Sequence, residues 1–422
     1  MKRSEPIKVF EHQRLSWKEA GLSAAQVDRL IAWNESSGNR FFTVGHKSFT
    51  FTEHVGVVQV GRTVIEVLPK ADRSEEGGDV AGNRWQNALL AMLREVHDLP
   101  LTGTTEADLH KRSSSILDFF FGLYVRDVEE LVHQGLVKRY RRTRGNQLAL
   151  KGRLDFPRHI QQNIVHQERF FVEHQVYDSD HLLHSLLKRA LLLVTDLGRD
   201  TDVTTRAKGL DWAFENVADR ALTPQTLDRI ILDRKTAPYA RAVQLAKMVV
   251  LNHAPDVKGG NMPLIGLMFD MNVLYERVVL KLLQRAARGT DLKVSGQDSR
   301  SFWKQQRIRP DIVIRRGDDV HLIIDTKWKL PKDGRPADAD LKQMYAYNLQ
   351  FGTSSSMLLY PGEPGRSIPH SAFAPGATMH MAHGCSLRYI RLFDERGNLR
   401  SDDLRHLLTE LVPRREATEA AR

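Results

Sequence analysis

Cysteine is nearly absent from this sequence, with one in 422 residues. A single thiol excludes a disulfide framework and any zinc site that needs two thiolates, and it fits a reducing compartment. Long apolar runs are missing too. No stretch approaches the roughly 18 residues of a membrane helix, so no membrane association is expected. Residues 1–17 are charged and lack the apolar centre of a signal peptide. No G-x-x-x-x-G-K-[S/T] phosphate loop occurs, so the chain itself is not expected to hydrolyse a nucleotide. The absence of a G-x-S-x-G elbow argues against a serine hydrolase. What is present is globular: 41% hydrophobic and 27% charged residues. The length exceeds one ordinary core and implies two or three domains. A net charge of +10 suits a polyanionic partner. It is spread over both halves and identifies no basic face.

Local patterns predict the elements. Residues 23–33 (SAAQVDRLIAW) have helical spacing, with Ser23 as N-cap. Alternating runs at 41–44, 49–52, 56–60 and 63–67, punctuated by glycines, predict a small antiparallel sheet. Residues 71–83 are polar and Gly-rich and predict a loop. Helices are expected over 85–96, 115–134, 178–197, 224–233 and 239–252. Residues 138–158 read as extended, with a charged hairpin around Gly145. The segment PDVKGGN (255–261) is the strongest linker signal. Beyond it come a helix (268–287), strands (307–327), a helix (338–350) and short strands to about 393. The last ten residues look frayed.

The most informative stretch is RPDIVIRRGDDVHLIIDTKWK (309–329). Two alternating runs flank RRGDD, which predicts a β-hairpin. Matching apolar to apolar across the pair sets Val313 opposite Ile323, Ile312 opposite Ile324 and Ile314 opposite Leu322. Asp311 then faces Asp325, and a one-residue slip would oppose polar to apolar. Asp325 and Lys327 are two apart and share that side. Two adjacent carboxylates repel unless a cation sits between them. A hard divalent ion, Mg²⁺ first, held by Asp311, Asp325 and the Thr326 carbonyl, would satisfy them. Lys327 beside it could orient or help deprotonate a water and neutralise a phosphate, as in metal-assisted phosphodiester hydrolysis. An ordinary hairpin with a cross-strand ion pair satisfies the same pattern. On the preceding helix, Glu276 falls on a stripe with Val273, Val279, Leu280 and Leu283, where a carboxylate must be paired or metal-bound. On the following helix, Gln343 and Tyr347 share a face and could touch a phosphate or base. A helix cap or a core tyrosine would account for them equally.

Pro310-Asp311 followed by Asp325-Thr326-Lys327 resembles the PD-(D/E)xK nuclease motif. Glu276 and Gln343-x3-Tyr347 resemble its form in RecB-like nucleases. In the N-terminal half, VGVVQVGRTVIEVLPK (55–70) is similar to the signature of the McrC family, the nuclease subunit of the McrBC modification-dependent (type IV) restriction system. GLVKRY (135–140), GRLDF (152–156) and FDMNVLYE (269–276) support it, in order, over roughly residues 8–395. The resemblance implies a mixed α+β and α/β multidomain fold. It would have an N-terminal β-rich docking domain (1–165), a helical connecting region (166–255) and a restriction-endonuclease-like domain (256–422). It also implies a cytoplasmic, Mg²⁺-dependent endonuclease acting on double-stranded, methylcytosine-containing DNA. The GTP would be bound by a McrB-like AAA+ ring, whose GTPase this chain would stimulate. Carried over by position, Asp311, Asp325, Lys327 and Glu276 are catalytic. Asp311, Asp325, Thr326 and Glu276 hold the metal. A stand-alone RecB-like repair nuclease and a weakly catalytic GTPase-activating docking protein remain the alternatives.

Two basic segments add candidates. KRYRRTR (138–144) carries Lys138, Arg139, Arg141, Arg142 and Arg144 without an acid. As a hairpin tip it could insert into a ring partner, reach a nucleotide site or grip phosphates; a solvated loop would look the same. SRSFW (299–303), with Lys304, Arg307 and Arg309, mixes aromatic and basic residues just before the hairpin. DNA backbone contact and an ordinary edge strand are both consistent with it. His380, His383 and Cys385 lack acidic neighbours and are not expected to bind zinc. His181 and His184 sit among leucines, where packing is expected, and Cys385 is expected to be a buried thiol.

Overall fold

A computed structural model describes residues 5–70, 79–97, 115–254, 262–331, 334–374 and 382–411. Two compact units emerge, each discontinuous in sequence. One comprises residues 1–58, 63–102 and 268–422; the other comprises 59–62 and 103–267. Their limits differ from boundaries drawn at 165 and 255, because the N-terminal strands and the C-terminal third share one unit. The expected linker at 255–261, most of the loop at 71–83 and the last ten residues lie outside the described residues. Residues 79–83 are helical, as the first turns of Asp79–Val96.

The first unit is built on a six-stranded sheet. Its order is Leu292–Gly296, Ile312–Arg316, Asp319–Thr326, Ser355–Pro361, Gly384–Ile390 and Ile368–Ala372. The first three strands pair antiparallel. Asp319–Thr326, Ser355–Pro361 and Gly384–Ile390 run parallel. A parallel sheet must be covered on both faces, which explains its near-continuous apolar runs. Val313, Ile323, Leu358 and Leu387 join Met344, Tyr347 and Phe351 of the helix Asp338–Phe351 in one core. The helix Met271–Ala286 packs against Leu292–Gly296 and Asp319–Thr326. Its own start is fixed by Asp270, whose carboxylate caps the amides of Asn272 and Val273.

The hairpin register is the one that matching faces requires: Ile312 opposite Ile324, Val313 opposite Ile323 and Ile314 opposite Leu322. A bulge follows at Ile314/Arg315, and Gly317 turns the chain at φ +59°. Nearer the N-terminus the structure departs from one small antiparallel sheet. Phe42–Gly45 and Ser48–Phe51 join Arg14–Ser16 in a three-stranded sheet. Thr63–Leu68 instead lies between His54–Val60 and Ile7–Phe10, and pairs with the latter in parallel. Parallel pairing needs a distant partner and leaves no local turn signal. The helix Ala24–Ser36 forms as expected, with a capping box between Ser23 and Gln26.

The second unit is mainly helical, with Ile116–Gln134, Leu182–Leu197, Thr201–Gly209 and Ala240–Leu251 packed on one another. The helix expected over 224–233 is a single turn, Pro224–Leu227. A long ribbon pairs Arg139–Gln147 antiparallel with Phe170–Asp178. The hairpin expected around Gly145 does not exist there. Gly145 is mid-strand, opposite Val172, and the strand runs on to Gln147. No helix among the described residues is long and apolar enough to cross a membrane.

Candidate active site

Asp311 immediately precedes its strand, and Asp325 is the seventh residue of Asp319–Thr326. The pairing that matches the apolar faces carries both aspartates to the same end of the hairpin. Thr326 ties them together: its amide and hydroxyl both donate to Asp311 Oδ2, at 2.7 and 2.8 Å. Asp325 is buried. Lys327 Nζ lies 2.9 Å from Asp325 Oδ2 and 2.9 Å from Asp340 Oδ1. Gln343 Nε2 donates to Asp325 Oδ1 at 3.4 Å and to the Tyr347 hydroxyl at 2.7 Å. That hydroxyl donates to the Arg309 carbonyl at 3.0 Å. Tyr347 is buried behind Gln343 and braces the strand entering Asp311.

Charge explains the protonation behaviour. Burial pushes the Asp325 carboxyl up, Asp311 adds to the shift, and Lys327 offsets only part of it. Burial acts to lower Lys327, but Asp325 and Asp340 outweigh it and hold the ammonium above the lysine range. Lys327 is therefore held as an ammonium between two carboxylates in this arrangement. Tyr347 is pushed up to about 12, by burial first and then by Asp325.

Glu276 is half-buried beside the buried stripe of its helix. That stripe is Met271, Leu274, Tyr275, Val278, Val279, Leu282 and Leu283, and Val273 is exposed. The stripe expected from spacing was therefore rotated. Glu276 Oε1 accepts from Gln297 Nε2 at 3.0 Å, and Gln297 N donates to the Asp311 carbonyl at 3.0 Å. Burial and Asp311 both raise the Glu276 carboxyl.

Among the described residues, no three His, Cys, Asp or Glu side chains converge as a metal cage. The donor set at this site is two aspartates on adjoining strand ends, all oxygen. That set suits a hard divalent ion such as Mg²⁺, which keeps most of its water and takes one or two carboxylates.

The family model of the McrBC 5-methylcytosine restriction system component matches residues 49–361. This chain belongs to the McrBC family. Its fold is similar to that of a chain in the Thermococcus gammatolerans assembly of McrB AAA+ hexamers with bound McrC. That match has TM-score 0.71 and 16% identity, covering 96% of this chain and 100% of the other. A chain of the Thermococcus gammatolerans McrBC complex matches with TM-score 0.52 and 18% identity, over 67% of this chain and 88% of the other. No curated protein sequence matches it.

Other candidate residues of this McrBC-family chain fall elsewhere. Lys304 and Arg307 belong to the hairpin Arg300–Trp303/Gln306–Ile308, a separate two-stranded sheet and not an edge strand of the main one. Arg309 follows it. Arg139, Arg141, Arg142 and Arg144 lie on the ribbon of the second unit, where the acids missing from their own segment come from other strands and turns. Arg141 pairs with Asp178 and Asp180, Arg142 and Arg144 with Glu173, and Arg139 with Asp233. Lys138 is exposed. His181 and His184 lie with ring centres 4.0 Å apart, tilted by 32°, and bond to backbone carbonyls. Burial lowers His184 to about 4, as a packed neutral ring requires. His383 is buried with its Nδ1 3.0 Å from the Thr353 carbonyl, Cys385 is buried, and His380 lies outside the described residues.

Sequence reasoning missed Asp340, Gln297 and Glu11, a buried carboxyl that accepts from the indole of Trp328 beside Lys327. Asp340 had a usable signal, since Asp340, Gln343 and Tyr347 at i, i+3 and i+7 share one helix face. Gln297 and Glu11 had none.

Proposed function

We propose that this chain is the nuclease subunit of a McrBC-type restriction complex. It would cut methylcytosine-containing foreign DNA in the cytoplasm, dock on a McrB-like AAA+ GTPase ring and stimulate its GTP hydrolysis. The observation that carries the catalytic part is the Asp311/Asp325/Lys327 set, with Lys327 clamped between Asp325 and Asp340. Asp311 and Asp325, with the Thr326 carbonyl, would hold Mg²⁺. When bound, the ion supplies Lewis-acid polarisation of the phosphoryl group and an acidified water. Lys327, held between Asp325 and Asp340, would neutralise the scissile phosphate and orient the attacking water. Gln343 and Tyr347 would fix the Asp325 carboxylate. Glu276, held by Gln297, would add negative charge at the rim of the metal position.

The docking part rests on family membership and on the likeness in fold to a chain from an assembly of McrB hexamers with bound McrC. The ribbon residues Lys138, Arg139, Arg141, Arg142 and Arg144 are the proposed partner surface. Incubating the pure chain with duplex DNA and Mg²⁺, with and without an AAA+ partner and GTP, tests this reading. Cutting is expected only in the complete mixture. Efficient cutting by the chain alone contradicts it and favours a stand-alone nuclease.

A further inference from the structure

The hairpin Arg300–Trp303/Gln306–Ile308 grows out of the carboxylate site. Both of its feet are fixed there. On one side, Gln297 bonds to the Asp311 carbonyl and to Glu276. On the other, the Arg309 carbonyl accepts from Tyr347, and Asp311 follows two residues later. Any phosphodiester placed against Asp311 and Asp325 therefore has this hairpin for a neighbour.

Its surface carries two exposed aromatic side chains. Phe302 is 51% exposed and Trp303 is 57% exposed. Among the described residues of the unit that carries the carboxylates, they are the two aromatic side chains in that condition. Two adjacent half-exposed aromatics offer flat faces that a partner could cover. Between Ser299 and Pro310 the chain has Arg300, Lys304, Arg307 and Arg309 and no acid. A surface both aromatic and wholly cationic complements a polyanion that also offers flat π-faces, which describes a nucleic acid.

The hairpin is also braced. The Arg300 guanidinium lies 4.4 Å from the centre of the Phe351 ring and donates to the Gln350 carbonyl at 2.7 Å. Arg307 grips Ser299 through its hydroxyl at 2.6 Å and its carbonyl at 2.9 Å. These two cations anchor the ribbon. At the tip, Lys304 adopts φ +50°, a left-handed conformation that glycine or asparagine would accept at less cost. Its Nζ sits 4.6 Å from the centre of the Trp303 ring, over that ring's face.

We infer that this hairpin is a DNA-engaging wedge at the cut site. Trp303 and Phe302 stack on base faces at a partly unstacked step, and Lys304 takes an adjacent phosphate. The inference rests on the nuclease reading and deepens it from phosphate chemistry to base contact. Side chains that wedge between base steps and stack on them are an established way to hold deformed DNA.

The test uses the full-length chain with Asp325→Asn, so that bound DNA is not cut, alone and with its AAA+ partner. A duplex carrying 2-aminopurine at successive steps reports unstacking, and fluorescence anisotropy reports affinity. The parent is expected to bind and to brighten 2-aminopurine at one or two steps. Phe302→Ala with Trp303→Ala is expected to lose about ten- to hundredfold in affinity and the brightening. Trp303→Tyr keeps the aromatic face and is expected to retain both. Both side chains are exposed, so thermal melting should be unchanged. Unchanged DNA affinity and brightening in the double variant overturns the wedge while leaving the nuclease reading intact. Lost partner assembly with intact DNA binding overturns it too, and makes the hairpin a protein contact. A parent that binds no DNA under either condition overturns the nuclease reading itself.

Discussion

Glu11 Oε1 accepts a hydrogen bond from the indole Nε1 of Trp328 at 2.6 Å, across 317 residues of chain. The same oxygen accepts the Lys70 amide at 2.9 Å. Trp328 follows Lys327 directly and packs on Tyr275 and Trp85. An N-terminal carboxylate thus holds the residue next to the proposed catalytic lysine. Glu11→Ala would strand a buried indole N–H, at about 1–3 kcal/mol. The expected result is a lower melting temperature together with reduced DNA cutting. Glu11→Gln keeps the accepting oxygen and should restore most of both. Equal behaviour of the alanine variant and the parent would remove Glu11 from this role.

The same carboxyl gives a pH dependence. Burial pushes Glu11 up to about 7 from an ordinary 4.5. Between those values the folded chain holds a proton that the unfolded chain has released. Stability therefore falls as pH rises through that window, by on the order of 3 kcal/mol from this group. Denaturation midpoints measured from pH 4.5 to 7.5 should show the fall. The difference between parent and Glu11→Gln isolates Glu11 from Asp325 and Glu276, which shift in the same direction. Parallel curves for the two proteins would refute the assignment.

Asp340 is the second carboxylate that holds Lys327, at the same 2.9 Å as Asp325. Asp340→Ala should free the ammonium to swing and should lower kcat roughly tenfold with little change in KM, because a positioned charge acts in the transition state. Lys327→Ala should cost more than Asp340→Ala. A change in KM alone would instead make Asp340 a DNA-binding residue.

On the ribbon, Arg142 has the most exposed side chain of its ion pairs at 77%, and Tyr140 is 73% exposed against Tyr177. Exposed pairs of this kind contribute about 0–1 kcal/mol, so removing them should spare the fold. Tyr140→Ala with Arg142→Ala should weaken GTPase stimulation more than it weakens the cutting chemistry. Neutralising Arg139, Arg141 and Arg142 together should do the same. Full stimulation by either variant would reject the ribbon as partner surface.

The hairpin was legible because one register sets the apolar run Ile312–Ile314 against Leu322–Ile324 and leaves Asp311 beside Asp325, while a one-residue slip opposes Asp311 to Ile324. Asp311, Asp325, Lys327, Gln343 and Tyr347 followed from that register and from helical spacing. The stripe around Glu276 was misread because several apolar faces fit a helix as rich in Val and Leu as Met271–Ala286. Gly145 suggested a turn, yet a glycine inside a strand leaves the same mark. The parallel pairing of Ile7–Phe10 with Thr63–Leu68, and the reach of Glu11 to Trp328, depend on contacts far apart in sequence. No local periodicity records them.

The central claim is that Asp325 serves phosphodiester cleavage and not the fold or the partner. The most direct measurement compares the parent and Asp325→Ala in one reconstituted mixture of AAA+ partner, GTP, Mg²⁺ and methylated duplex DNA, reading DNA cutting and GTP hydrolysis together. Cutting should fall to background while GTPase stimulation stays at the parent level. Persistent cutting by the Asp325→Ala chain would contradict the account.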